Sequence, residues 1–301
     1  MEDILKIDRV LKRYKDKTAV DHISFSVKRG TIFGLLGPNG AGKTSLIRII
    51  TTITACDEGT IYFKGEPLNG YHPTQIGYLP EERGLYKKMK VGEQLLYLAQ
   101  LKGMDYKTAK ASILHWMDKF DIRDWWHKKV EELSKGMQQK IQFVATVMHN
   151  PNLIILDEPF TGLDPINTDL IKKEIHLLRE AGASIIFSTH RMEQVEEICE
   201  DIVLMDDGKI ILEGKVAEIK NDFKENKFEV GFEGDLDISM LNGNVELIDQ
   251  SAEKLVFKLK EGYGSNQFLE TLIKKGVIVT SFNEILPSLN EIFIKRVAEN
   301  D

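Results

Sequence analysis

The spacing of apolar residues along the chain predicts a fold in which strands and helices alternate. Alternating apolar and polar positions indicate half-buried strands over residues 4–14 and 23–27, and a further strand at 60–63. Short, mainly apolar segments, typical of strands buried on both faces, follow at 32–36, 153–156 and 184–188. We therefore predict an α/β fold built on a buried sheet.

The spacing becomes helical in the central region. Apolar residues recur every three or four positions from Val91 to Phe120. All three tryptophans, Trp116, Trp125 and Trp126, lie close to this stretch. We expect them in the core of a small helical subdomain at about 85–150, because a ligand site made of tryptophans is the less common arrangement.

The last part of the chain has the pattern of a separate small domain. A strand pair at 202–213 is followed by a connecting helix at 216–223. The segments after it alternate between types, with strands at 228–232, 245–249, 255–259 and 277–282, a helix near 267–275 and a last helix after Pro287. The chain thus divides into domains 1–215 and 216–301, the second a small α+β domain without a catalytic constellation.

The strand at 32–36 runs into a glycine-rich turn and then into a helix. Glycines allow backbone conformations that a Cβ forbids, so that N–H groups can turn inward around phosphate oxygens. The helix N-terminus adds partial positive charge, a lysine adds a full charge for the β- and γ-phosphates, and a threonine hydroxyl can ligate Mg²⁺. The stretch predicts a nucleotide site formed by Gly37, Pro38, Asn39, Gly40, Ala41, Gly42, Lys43, Thr44 and Ser45.

Polar residues follow two of the other buried strands. Asp157 and Glu158 end the run at 153–156, where burying two acids is costly unless a cation meets them. Mg²⁺ bound to ATP is the obvious candidate. His190 follows the run at 184–188; a lone histidine is usually structural, but the carboxyl ends of core strands are where open α/β sheets bind ligands.

Three more residues have both a functional and a structural interpretation. Tyr14 lies in a polar context and can stack on a nucleotide base, although a partly buried strand tyrosine is an equally good interpretation. Ser134 is a good N-cap for a helix that extends to about residue 149. Gly136 permits close approach of a phosphate from another molecule, whereas a cap alone would need no such ligand.

Charge and composition narrow the function. The net charge of −7 gives no support for nucleic-acid binding, which requires a basic surface. The two cysteines, Cys56 and Cys199, lack metal-site spacing, and we expect buried thiols in a reduced, cytoplasmic setting. The N-terminus lacks the apolar core of a signal peptide, and no apolar stretch approaches the roughly 20 residues that cross a bilayer. Any membrane role must therefore come through a partner.

Taken in order, five segments closely resemble the nucleotide-binding subunit of ABC transporters over residues 4–215. They are GPNGAGKT (37–44), LSKGMQQK (133–140), LIILDEP (153–159), GLD (162–164) and STH (188–190). The resemblance implies a P-loop NTPase of ABC type, with a mixed core sheet, an antiparallel β subdomain and a helical subdomain. It also implies an ATPase that uses ATP and Mg²⁺.

The resemblance assigns roles within one nucleotide site. Tyr14 would stack on adenine, and residues 37–45 would hold the phosphates, with Lys43 and Thr44 contacting phosphate and metal. Asp157 would bind Mg²⁺ through water, Glu158 would be the general base, and His190 would contact the γ-phosphate.

The resemblance also implies a homodimer with two ATP molecules between its subunits. Ser134 and Gly136 would grip the γ-phosphate of ATP bound to the second subunit, and Asp164 would link the two sites. Catalysis would be mostly positioning and charge stabilisation, as in phosphoryl transfer generally.

Two positions depart from the family pattern. Glu81 stands where the family usually has a glutamine that senses the metal and water and communicates with the membrane subunit. A glutamate can still accept a hydrogen bond from metal-bound water, but it adds negative charge beside Asp157. The segment at 133–137, the family's signature motif, reads LSKGM rather than LSGGQ. Lys135 and Met137 are therefore substituted, while Ser134 and Gly136 remain.

The GYLPEERGLY segment, the signature and the C-terminal domain resemble a subgroup that includes NatA-type sodium-extrusion ATPases and drug exporters. Such proteins work with a separate ABC-type permease. The resemblance therefore implies a cytoplasmic subunit on the inner face of the cell membrane, attached only through the permease and binding no nucleic acid.

Two other classes remain open from the sequence. A soluble ABC-type ATPase could act on DNA, ribosomes or metal-cluster assembly. A role on DNA is disfavoured because the interval between the phosphate loop and the segment at 133–140 has no heptad run. A role on ribosomes is disfavoured because the chain has one phosphate loop. A non-hydrolysing nucleotide-binding module is disfavoured because Asp157, Glu158 and His190 are all present.

Overall fold

The computed structural model describes residues 2–15, 17–82, 84–234, 243–251 and 253–300. It divides the chain into two compact units, Met1–Val216 and Ala217–Asp301. Arg83, in the GYLPEERGLY segment, lies outside the described residues. Within the described ranges, no helix has both the length and the apolar character needed to cross a membrane.

The first unit is organised around two sheets. Its strands are β1 (Asp3–Tyr14), β2 (Lys17–Lys28), β3 (Ile32–Leu36), β4 (Glu58–Phe63), β5 (Glu66–Pro67), β6 (Ile76–Leu79), β7 (Leu153–Asp157), β8 (Ser184–Thr189), β9 (Asp201–Asp206) and β10 (Lys209–Lys215). One sheet has the order β10-β9-β3-β8-β7-β6, and the other has the order β2-β1-β4-β5.

The six-stranded sheet is mixed and deeply buried. Strands β9, β3, β8, β7 and β6 pair in parallel, and only the edge strand β10 pairs antiparallel, with β9. Every residue of β3, β7 and β8 is buried, which explains why apolar residues predominate in them. Because the five strands are parallel, their carboxyl ends meet at one edge of the sheet.

The second sheet is antiparallel and shares a core with the first. In β1 and β2 buried and exposed residues largely alternate, as expected for strands with one buried face. One hydrophobic cluster joins Val10 and Phe25 of this sheet to Phe33 and Ile155 of the mixed sheet and to Leu46. The phosphate loop is therefore held between two packed layers.

Six helices of the first unit are α1 (Lys43–Ile50), α2 (Val91–Leu101), α3 (Tyr106–Lys119), α4 (Lys135–Val147), α5 (Pro165–Glu180) and α6 (Met192–Ile198). Trp116 is buried in the helical region and packs against Phe120 and Phe143. The other two tryptophans, Trp125 and Trp126, are only half-buried, so the prediction of a shared tryptophan core is wrong for them.

The described structure also corrects other sequence expectations. Strand β6 and helix α6 were not predicted from the sequence pattern. Cys199 is buried, but Cys56 is half-exposed, so the expectation of two buried thiols is wrong for Cys56.

The second unit begins within α7 (Val216–Asp222). Its other elements are β11 (Lys227–Glu233), β12 (Val245–Gln250), β13 (Lys254–Leu259), α8 (Ser265–Lys274), β14 (Ile278–Ile285) and α9 (Leu289–Asn300). The strands form an antiparallel sheet with the order β12-β13-β11-β14. Phe257 and Phe268 lie 4.1 Å apart between ring centroids and anchor a hydrophobic core that belongs to this unit alone.

Candidate nucleotide site

The phosphate loop connects β3 to α1 in a conformation that only glycine allows at two points. Gly37 has φ of 146° and Gly42 has φ of 104°. A Cβ at Gly37 would lie 2.2 Å from the carbonyl oxygen of Met205, and one at Gly42 would lie 2.1 Å from that of Ala19. Glycine is thus required both for backbone conformation and for close packing against β9 and β2. The first N–H groups of α1 have no acceptor within their own helix and are available to an anion.

Lys43 is the first residue of α1 and is buried at the centre of the loop. Its ammonium donates hydrogen bonds to the carbonyl oxygens of Gly37, at 2.6 Å, and Pro38, at 3.1 Å. Burial lowers the pKa of Lys43, and the nearby charges of Asp157, Glu158 and Glu81 oppose that shift. A phosphate group would supply this cation with a further anionic partner.

Asp157 lies at the carboxyl end of β7 and is only 3% exposed. Its Oδ1 accepts a hydrogen bond from the Ser188 hydroxyl at 2.7 Å, whereas Oδ2 is buried without a hydrogen-bond partner. Burial raises the pKa of Asp157, the hydroxyl of Ser188 lowers it, and the charges of Glu81 and Glu158 raise it further. An orphaned buried carboxylate oxygen is costly, and a cation at this point would satisfy it.

These residues fit Mg²⁺ better than a metal that needs a complete protein cage. Among the described residues, no group of three or more His, Cys, Asp or Glu side chains forms a ready metal site. Mg²⁺ is usually held by one or two carboxylates together with phosphate oxygens and water. Thr44 and Glu81 line the same cleft as Asp157 and could contribute to such a shell.

Glu158 is the next residue, and its carboxylate is held by three donors. Oε1 accepts a hydrogen bond from the backbone N–H of His190 at 2.9 Å and lies 2.6 Å from Nδ1 of the His190 ring. Oε2 accepts a hydrogen bond from the Thr189 hydroxyl at 3.1 Å. Its backbone has φ of 50°, in the left-handed region that non-glycine residues rarely adopt. Such local strain is typical of functional sites, and here it turns the side chain toward the carboxyl end of β8.

One cleft of about 390 Å³ joins most of the predicted site residues. Tyr14, Asn39 to Ser45, Glu81, Asp157 and Glu158 line it. The loop and the three acids converge because β3, β6 and β7 end at the same edge of the parallel sheet, whereas Tyr14 comes from β1 of the antiparallel sheet. The expected proximity of Glu81 to the two acids is thus found, although Glu81 follows a strand that was not predicted.

Two residues that line the cleft were missed from the sequence. Lys17 pairs with Tyr14 across the turn between β1 and β2, and Ala19 packs its carbonyl oxygen against Gly42. The hairpin brings both residues to the loop, and the charged, turn-like sequence after Tyr14 was the only signal for it.

Six predicted residues do not line that cleft. Gly37, Pro38 and His190 contact residues that do, because they bond to Lys43 or Glu158.

Ser134, Gly136 and Asp164 form a second cluster. Ser134 caps α4 by accepting from the backbone N–H of Met137 at 3.3 Å. Asp164 caps α5 by accepting from the backbone N–H of Asn167 at 2.9 Å, and this bond lowers the pKa of Asp164. A Cβ at Gly136 would lie 3.4 Å from the Gly162 carbonyl oxygen, so that the two loops are adjacent.

The first cleft therefore combines phosphate-binding amides, an ammonium, an orphaned carboxylate and a held glutamate. These groups can bind a nucleoside triphosphate, screen its charge and polarise a water molecule. The second cluster offers an exposed helix N-terminus, and neither Ser134 nor Gly136 lines the first cleft.

Two protein families match parts of this chain. The family described as ABC transporter matches residues 20–161. The family described as the C-terminal domain of DrrA1-3-like ATP-binding proteins matches residues 214–297.

Several curated proteins are similar over most of their length. The uncharacterized ABC transporter ATP-binding protein YhaQ of Bacillus subtilis (strain 168) is 44% identical over 294 residues, which are 98% of each chain. The linearmycin resistance ATP-binding protein LnrL of the same organism is 34% identical over 72% of this chain and 70% of its own. Nod factor export ATP-binding protein I of Ralstonia nicotianae (strain ATCC BAA-1114 / GMI1000) is 34% identical over 72% of this chain and 68% of its own.

Solved structures agree in fold. An ATP-binding subunit of an ABC transporter superposes with a TM-score of 0.69 and 28% sequence identity. The match covers 73% of this chain and 93% of that structure.

Proposed function

Because this chain belongs to the ATP-binding proteins of ABC transporters, we propose that it hydrolyses ATP at the cleft around Lys43 and Glu158 to energise export. Membership of this family implies ATP binding, ATPase activity and a permease partner.

The loop amides and Lys43 bind the phosphates, and Tyr14 stacks on the base. Thr44 and Asp157 would hold Mg²⁺, and Glu81, which lines the same cleft, would lie beside it. Mg²⁺ there would neutralise charge on the β- and γ-phosphates. The observation that supports this arrangement best is the unpaired Oδ2 of Asp157 beside the loop lysine.

Glu158 acts as the general base. It takes a proton from the water that attacks the γ-phosphorus, and ADP leaves with the electrons of the broken bond. His190 and Thr189 hold the carboxylate at its position, and His190 can exchange that contact for the γ-phosphate.

The test replaces the base without changing its shape. Glu158→Gln is expected to bind ATP but to lose about 10²- to 10⁴-fold in turnover, because the amide cannot take a proton. Phosphate release measures turnover, and calorimetry measures binding. Glu180→Gln, an exposed glutamate at the end of α5, is the matched control. Near-normal turnover of Glu158→Gln would reject this role.

A second copy of the chain completes the proposal. The α4 N-terminus at Ser134 and Gly136 is an anion-binding end with the Asp164 loop beside it. We place the γ-phosphate of a partner-bound ATP there, so that two ATP molecules join a head-to-tail homodimer.

The permease docks at a cleft of about 470 Å³ between β6 and the helical region. Pro80 and Gly84 line this cleft, and both are close in sequence to Glu81, which lines the nucleotide cleft. Leu101, 61% exposed, and Leu98 of α2 add apolar surface that a partner can cover. The segment around Glu81 would therefore report the nucleotide state to the permease.

The printed names of two relatives favour export of an organic compound. One relative is named for linearmycin resistance and another for Nod factor export. Sodium export, which the sequence resemblance includes, is the second candidate. Cells that lack the chain would lose tolerance to an antibiotic in the first case and to sodium in the second, and growth assays distinguish them.

A further inference from the structure

Tyr14 ends β1 with a ring that is 42% exposed and lines the nucleotide cleft. An exposed ring at a strand end has freedom about its χ1 and χ2 angles. Stacking on a base requires that freedom to be lost, which weakens binding unless the ring is already held. The residues around Tyr14 show how this side chain is held.

Lys12 places its ammonium over the Tyr14 ring, 5.5 Å from the ring centroid. This distance is within the range of a cation–π contact. The side chain of Lys12 is only 13% exposed. Lys12 does not line the nucleotide cleft, so the ring surface that faces the cleft stays available to a base.

Asp57 fixes Lys12 in turn. Its Oδ1 accepts from the Lys12 ammonium at 2.8 Å, and its Oδ2 accepts from the backbone N–H of Arg13 at 2.6 Å. The backbone N–H of Asp57 donates to the carbonyl oxygen of Leu11 at 2.8 Å. One aspartate thus bonds the backbone on both sides of Lys12 as well as its side chain.

The charges of this pair support each other. The hydrogen bond to Asp57 raises the pKa of Lys12, and the same bond lowers the pKa of Asp57. Both groups are therefore charged throughout the neutral range, and the cation over the ring is always present there.

We propose that Lys12 and Asp57 are positioning residues, which hold the Tyr14 ring in place for the nucleotide base. This inference rests on the proposed stacking role of Tyr14. Because Lys12 contacts the ring and does not line the nucleotide cleft, its effect must disappear when either the base or the ring is absent.

The experiment compares two ligands that differ in the base. Calorimetry measures the affinities of ADP and of inorganic pyrophosphate, each with Mg²⁺, for the full chain. Lys12→Met is expected to weaken ADP binding about two- to fivefold, because a cation–π contact of that strength would no longer hold the ring before the base binds. Pyrophosphate binding should be unchanged. Asp57→Asn should act in the same direction.

Controls separate positioning from damage to the fold. Lys12→Arg keeps a cation over the ring and should retain wild-type affinity. Lys6→Met, at an exposed lysine on the same strand, should change nothing. In a Tyr14→Ala background, Lys12→Met should have no further effect on ADP binding.

Each contrary result has its own meaning. Equal weakening of ADP and pyrophosphate by Lys12→Met, or an unchanged effect in the Tyr14→Ala background, would overturn the positioning role. If Tyr14→Ala weakens ADP binding while Lys12→Met does not, only this inference fails. If Tyr14→Ala itself leaves ADP binding unchanged, the stacking proposal fails and the positioning role fails with it.

Discussion

Asp157 illustrates the conflict between stability and function in a single residue. Its carboxylate is buried, carries a raised pKa and leaves one oxygen without a hydrogen bond. Burying an incompletely paired charge costs free energy of unfolding in the nucleotide-free protein. The same unpaired oxygen can bind a cation, so the loss of stability accompanies a gain in ligand binding.

Asp157→Asn should therefore stabilise the nucleotide-free protein while weakening its response to Mg²⁺. We expect an increase of about 1 kcal/mol in the free energy of unfolding at pH 8, or roughly 2–4 °C in Tm for a unit of this size. Thermal unfolding without and with Mg²⁺ and ATP measures both effects.

The pH dependence of that difference follows from the raised pKa. Above the folded-state pKa of Asp157, the wild type carries the buried charge and its full cost. As the pH falls through that pKa, the folded wild type takes up a proton and the advantage of the asparagine shrinks. Destabilisation by Asp157→Asn at pH 8 would contradict this account.

The residues that line the nucleotide cleft were the part of the structure best predicted from the sequence. The loop at 37–45 and the acids at 157 and 158 occur in short segments whose local order already specifies a strand, a turn and a chemical group. Lys17 could not be found in this way, because its position depends on the turn between two strands. The contact between Lys12 and Asp57 was still harder to predict, because 45 positions separate the two residues in the sequence.

At the scale of elements, predictions succeeded where one segment determines its own structure. Strand β6 was missed because its four residues contain Gly77 and precede Pro80, which gives no clear period. Its glycine is explained only by tertiary packing, since a Cβ at Gly77 would lie 2.3 Å from the Thr146 carbonyl oxygen of α4. Helix α6 was missed because seven residues are too few for a clear helical pattern.

Helix α2 offers an element-scale test of permease docking. Leu101→Lys adds a charge to the exposed apolar edge of the docking cleft and should release the chain from membranes of its native cells, with ATPase activity of the isolated chain unchanged. Cell fractionation measures the released fraction. Ile53→Lys, at a residue of 62% exposure that does not line the cleft, should stay with the membranes. Release of both variants, or of neither, would reject docking at this cleft.

At the scale of the whole molecule, we expect the two clusters of site residues to form a complete site only when two copies of the chain associate. The phosphate loop and Glu158 line one cleft, whereas Ser134 and Asp164 cap helices outside it. The sequence resemblance predicted this division, but a single chain cannot display the partner that unites the clusters. The head-to-tail dimer therefore stays a prediction.

Light scattering can test the dimer directly. Glu158→Gln with ATP and Mg²⁺ should shift from monomer to dimer, because bound ATP is hydrolysed only slowly. Adding Ser134→Arg should block the shift, since a bulky side chain would occupy the place of the partner's γ-phosphate. Asn266→Arg adds the same charge near the start of α8 in the second unit and should leave the shift intact. A dimer that survives Ser134→Arg would refute the cross-subunit contact.

The order of strands in the mixed sheet also has a consequence for synthesis of the protein. Strand β3 carries the phosphate loop, yet both of its sheet neighbours, β8 and β9, are encoded far downstream. While the ribosome is still adding the residues between Leu36 and Ser184, β3 is an apolar segment with open hydrogen-bonding edges. Nascent chains of intermediate length should therefore be clients of chaperones that bind such segments, and they become competent for ATP only after Asp206 has emerged.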